Sequence, residues 1–94
     1  MITAEKLRFI FEHYGEENQL IQLKEELNEL IDEINYILRV VKPYGNNEFL
    51  GEVADVLVLC EQFRLKYNKV NIIKDYKINR QISRIKESIE RSRV

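Results

Sequence analysis

Ninety-four residues, 45% hydrophobic and 33% charged, have the balance of one soluble globular domain spanning residues 1–94 and leave no room for two. No apolar run approaches the roughly 18 residues that span a bilayer, only Met1 and Ile2 precede the first charged stretch, and the single cysteine, Cys60, excludes a disulfide framework and a multi-thiolate zinc site. A cytoplasmic protein without membrane contact is expected, and a chain this short with no cross-link is expected to bury further surface in a homo-oligomer, dimer or tetramer.

The net charge of −1 conceals an asymmetry. Residues 1–61 carry thirteen Asp or Glu against five Lys or Arg, a net of −8, whereas residues 62–94 carry ten bases against three acids, a net of +7. Such halves either pair in solution or set an acidic metal site against a basic, phosphate-attracting segment, and composition leaves both open.

In chain order, Thr3 can cap a short helix to about Tyr14, with Leu7, Ile10 and Phe11 inward and Gly15 breaking it. Leu20, Leu23, Leu27, Leu30, Ile34, Ile37 and Val41 recur in steps of three and four, the stripe of a long amphipathic helix from about Glu16 to Val41. Pro43 and Gly45 mark a loop over residues 42–47. Asn47 can cap a helix that ends near Tyr67 or Asn68 and turns Val53, Val56, Cys60, Phe63 and Tyr67 inward, so that Cys60 reads as an inert core residue. Val70-Asn71-Ile72-Ile73 reads as a connector packed on the core, and Ile78, Ile82, Ile85 and Ile89 mark a final helix. The expected fold is all-α: a bundle of three main helices plus a short N-terminal one, completed by oligomerisation through stripes that include Leu27, Leu30, Ile34, Val56 and Phe63.

Several carboxylates stand where such a bundle does not want them. Stepping about 100° per residue, Glu26, Glu29 and Glu33 border the apolar stripe of the long helix while Glu25 points away. On the next helix Glu52 falls among Val53, Val56, Leu59, Cys60 and Phe63, with Asp55 at the edge. An unpaired buried carboxylate costs several kcal/mol, so Glu52 must be protonated, ion-paired with a base of the last helix, or bound to a cation. Glu33 reads as part of a solvated face. Glu26-x-x-Glu29 and Glu52-x-x-Asp55 each place two carboxylates one turn apart, and antiparallel packing across the loop would converge four hard oxygen donors, a set suited to Mg²⁺. No imidazole or thiolate is placed to make it a zinc site.

Glu25-Glu26-Leu27-Asn28-Glu29-Leu30 followed by Glu52-Val53-Ala54-Asp55-Val56 resembles the E-E-x-x-E-L and E-x-A-D-V signature of the MazG-like, all-α nucleoside triphosphate pyrophosphohydrolases, a group to which dimeric dUTPases also belong. The stretch from His13 to Leu20 is similar to the start of small MazG-like proteins of Gram-positive bacteria and their phages, and the resemblance covers roughly residues 12–90. It implies Mg²⁺-dependent cleavage of a nucleoside triphosphate between the α- and β-phosphates, giving a monophosphate and pyrophosphate, with Glu26, Glu29, Glu52 and Asp55 as metal ligands and catalytic groups. It further implies that Lys77, Asn79 and Arg80 contact the phosphates, along with Arg84, and that Gln19 lies near the base. The alternative is a non-catalytic dimerisation or adaptor module of the same fold. Nucleic acid is not an expected partner, because the acidic front half repels it and no DNA-binding motif is present.

Overall fold

The computed structural model describes residues 1–40 and 42–93 and contains four helices, α1 (Thr3–Tyr14), α2 (Glu16–Arg39), α3 (Asn47–Lys66) and α4 (Lys69–Ser92). The fold is all-α, as expected, and no helix among the described residues is long and apolar enough to cross a membrane. Val41, the last residue of the expected α2 stripe, lies outside the described residues.

Gly15 separates α1 from α2. Its φ of 91° is open to glycine and strained for residues with a Cβ, and its N–H reaches back to the Phe11 carbonyl while its own carbonyl accepts from Gln19. At the start of α1, Ile2 occupies the capping position without a side-chain bond, and Thr3 is already helical. The cap of α3 also moves by one residue. Asn46 Oδ1 accepts from Phe49 N at 3.1 Å, satisfying one of the orphan N–H groups of the first turn, and Asn47 is the first helical residue. Lys42 fixes the approach to this turn. Its ammonium donates to Glu33 Oε1 at 2.9 Å and to Glu48, and lies 4.8 Å from the centre of the Tyr36 ring. Glu33 is therefore part-buried and ion-paired, where a solvated face was expected.

α2 and α3 form the principal pairing and run antiparallel, since Gln19 meets Gln62 at one end and Glu26 meets Asp55 further along. α1 closes the Gln19 end, packing Phe11 edge-on against Phe63 with ring centres 5.4 Å apart. The apolar core is small: Leu7, Ile37 and Leu59 are the buried apolar residues among those described.

Both main stripes sit rotated from their expected orientation. On α2 the row facing α3 is Gln19, Leu23, Glu26, Leu30, Glu33 and Ile37, while Leu20, Leu27 and Ile34 are exposed. On α3 the buried positions are Leu59 and Gln62, flanked by half-buried Glu52 and by Val53, Val56 and Phe63, which stay half-buried as expected, while Cys60 and Tyr67 are exposed. The expectation of a buried Cys60 is thus corrected: position 60 lies about 100° around the helix from Leu59, outside the contact.

α4 begins at Lys69, so Val70 to Ile73 form its first turns and are no core-packed connector. None of its residues is buried, and it touches the rest of the chain through α3 alone.

Gly51 lies inside α3, and a Cβ built there meets no atom within 4 Å. Neither a late helix start nor a close neighbour accounts for it. Gly51→Ala should therefore stabilise the chain by about 0.5–1 kcal/mol in urea unfolding, and Gly15→Ala, forced to a positive φ, should destabilise it by about 1 kcal/mol or more.

Candidate metal and binding site

Rotation of the stripes puts polar side chains in the middle of the α2–α3 contact. Glu26 on α2 and Glu52 and Asp55 on α3 each bring one carboxylate oxygen into a group whose members all lie within 4.8 Å of one another. Two helical backbones hold them there, with one turn between Glu52 and Asp55 and one packing distance between that pair and Glu26, so the convergence needs no loop. Glu26 and Glu52 are half-buried and Asp55 is exposed.

Gln22 Nε2 donates to Glu26 Oε1 at 2.8 Å, whereas Glu26 Oε2 and Glu52 Oε2 are buried and accept from nothing among the described residues. The base of α4 that could have neutralised Glu52 is not there, since α4 makes no such ion pair in the described residues. Two orphaned carboxylate oxygens on residues of one tight acidic trio call for a proton or a cation. The donor set is all hard oxygen, which fits a divalent cation of the Mg²⁺ class and not a soft one.

Burial lifts the Glu26 carboxyl above its ordinary value of 4.5, the charges of Glu29 and Asp55 add to the rise, and the Gln22 amide opposes it. Glu29 itself is exposed and stands outside the tight trio, though its charge is near enough to help raise the Glu26 carboxyl. Glu25 is exposed on the outer side of α2, as its position around the helix predicts.

A cleft of about 520 Å³ runs along this seam, lined by Glu26 and Asp55 towards one end and by Gln19, Gln62 and Tyr14 towards the other. Gln19 and Gln62 are both buried, and Gln19 Nε2 donates to Gln62 Oε1 at 2.8 Å. Gln62 Nε2 is left without an acceptor among the described residues. The cleft thus combines an anionic pole, a buried amide donor with capacity to spare and an aromatic edge. Gln62 escaped the sequence reading because the inward face of α3 was centred on Val53, Val56, Cys60 and Phe63. The row Glu52, Asp55, Leu59, Gln62, spaced three, four and three, was the available signal.

The remaining expected site residues are not brought here. Lys77, Asn79 and Arg80 are exposed on α4, where Lys77 borders an apolar hollow with Ile73 and Ile78, and Arg80 lies over the Tyr76 ring at 5.7 Å. Among the described residues of one chain, no base of α4 pairs with the carboxylates of the trio.

The raised Glu26 group has a consequence for stability. The folded chain holds that proton more tightly than the unfolded chain, so it binds more protons from pH 4.5 up to the raised value. Stability consequently falls as pH rises through that window and stays lower above it. Melts in chelator from about pH 4 to about pH 8 should show this descending limb, and Glu26→Gln should flatten it.

No protein-family model, curated protein or solved structure matches the chain.

Proposed function

We propose that the chain is a divalent-cation-dependent nucleoside triphosphate pyrophosphohydrolase of the MazG-like kind, acting as a homo-oligomer in the cytoplasm. The observation that carries this reading is the pair of orphaned oxygens, Glu26 Oε2 and Glu52 Oε2, inside a trio of carboxylates contributed by the two signature motifs. An ordinary helix pair gains nothing from such a cluster, which repels itself and forfeits hydration.

In this reading Glu26, Glu52 and Asp55 would hold Mg²⁺, with Glu29, one turn from Glu26, as a further oxygen donor. When bound, the ion supplies positive charge to the phosphates and lowers the pKa of a water. A carboxylate of the set that is free of the ion would accept the proton of the attacking water. The water forms its bond to the α-phosphorus as the bond to the bridging oxygen breaks, and pyrophosphate leaves. Gln62, with Gln19 keeping its amide in place, donates to a carbonyl of the base, and Tyr14 offers a ring edge along the same cleft. Lys77, Asn79 and Arg80 would take the phosphates only if another copy supplied them, because their own chain keeps them apart from the trio.

Millimolar Mg²⁺ should raise the melting temperature, with a stabilisation of about 2.7 kcal/mol at a hundred times Kd. Glu52→Gln should stabilise the apo protein by relieving the repulsion and abolish that shift. A destabilised Glu52→Gln protein, with no Mg²⁺ effect in the parent, would mean that the acid serves the fold.

Pyrophosphate release from a panel of canonical and modified nucleoside triphosphates, with and without Mg²⁺, tests the activity directly. Glu29→Gln, Glu52→Gln and Asp55→Asn should each lower turnover about a hundredfold or more with folding intact, Lys77→Ala should lower it about ten- to a thousandfold, and Glu25→Gln should cost far less. Should no triphosphate be split, the chain is better read as a helical adaptor.

A further inference from the structure

The chain exposes far more surface than its mass requires. Its accessible area is 7834 Å², against about 5,700 Å² for a compact chain of this mass, an excess of roughly 2,100 Å². Its radius of gyration is 17.5 Å, where about 12 Å is usual for this length. A standard stable interface takes only about 800 Å² from each partner, so the excess is enough for an extensive one.

Two unpartnered apolar rows account for much of it. On α4, Ile78, Ile82, Ile85 and Ile89 follow one another at four, three and four residues on one face, each between 44% and 59% exposed. On α2, Leu20, Leu27, Ile31, Ile34 and Leu38 form a second row beside the one that packs on α3, each between 39% and 71% exposed. Both have the spacing of a seam between long helices. Neither can be covered by its own chain in this arrangement, since α4 touches only α3.

Charge says which row meets which. α2 carries seven acids and two bases, a net of −5, and α4 carries seven bases and three acids, a net of +4. Pairing α2 with the α2 of another copy, or α4 with α4, sets like charges side by side along 24-residue helices. Only α2 against α4 of a second copy joins apolar row to apolar row with opposite signs. We infer that α4 is an exchanged arm: the isoleucine row of each copy seats on the exposed leucine and isoleucine row of α2 in its partner, twice over in a closed two-fold dimer. This specifies the oligomer of the preceding reading, and rests on none of its chemistry.

Mass, and not turnover, is therefore the readout. Light scattering of the full chain at micromolar concentration should give a dimer whose Kd rises about tenfold or more between low salt and 1 M NaCl. Ile31→Glu and Ile82→Glu should each give a monomer with unchanged helical content, since neither side chain is buried in its own fold. In a Cys60→Ser background, copies of different mass carrying Ile31→Cys or Ile82→Cys are mixed and joined with a bismaleimide. Cross-links between unlike copies support the exchange. Cross-links confined to like copies, a dimer indifferent to Ile82→Glu, or a compact monomer with α4 folded onto its own α2 would overturn it.

Discussion

Where α2 meets α3, an ordinary helical hairpin sets leucine against leucine along its length. Here Gln19, Glu26 and Glu33 alternate with Leu23, Leu30 and Ile37 on one side, and Glu52, Asp55 and Gln62 stand around Leu59 on the other. Each polar position along that contact has to be satisfied locally, and the three levels solve it differently. Gln19 and Gln62 bond to each other, worth about 0.5–1.5 kcal/mol net. Glu33 takes the ammonium of Lys42. The middle level, Glu26 with Glu52 and Asp55, has no such solution, and each orphaned oxygen costs about 1–3 kcal/mol.

That middle level explains why so little apolar surface is buried elsewhere. The face of α2 that binds α3 is half polar, so much of its apolar surface is displaced to the flank. α1 compensates at one end with Leu7 and the Phe11–Phe63 contact, an edge-to-face pair adding about 0.5–1.5 kcal/mol beyond its area. Nothing among the described residues compensates at the flank or along α4. A site held rigidly between two helices and an unfinished apolar surface thus have one origin, the turning of both stripes away from each other.

The separation of charge follows the same division. The acids cluster where they approach one another and the bases gather on the helix that makes fewest contacts with its own chain. Had the charge asymmetry served only to pair the two ends, ion pairs between α2 and α4 would be seen; the salt bridges among the described residues instead lie around Lys42 and within α4. A basic helix and an acidic one that make no ion pair with each other among the described residues are the electrostatic counterpart of the two uncovered apolar rows.

Helix content was legible in the sequence, because steps of three and four, a Pro–Gly loop and the rarity of breakers are local signals that no tertiary contact reverses here. Gly15 was legible for the same reason, since its break depends on backbone freedom alone. The carboxylates Glu26, Glu52 and Asp55 could be singled out from spacing, because an acid bordering an apolar stripe is anomalous before its neighbours are known. Which side of each stripe turns inward was not legible. The apolar arc of α2 is wide enough to pack through either Leu20, Leu27 and Ile34 or Leu23, Leu30 and Ile37, and a rotation of only about 60° separates the choices. Only the tertiary structure decided it, by the fit of α2 against α3, and with it the burial of Gln62, the exposure of Cys60 and the distance of Lys77 from the site. Local periodicity determines that a helix has faces; which face is covered depends on the partner that covers it.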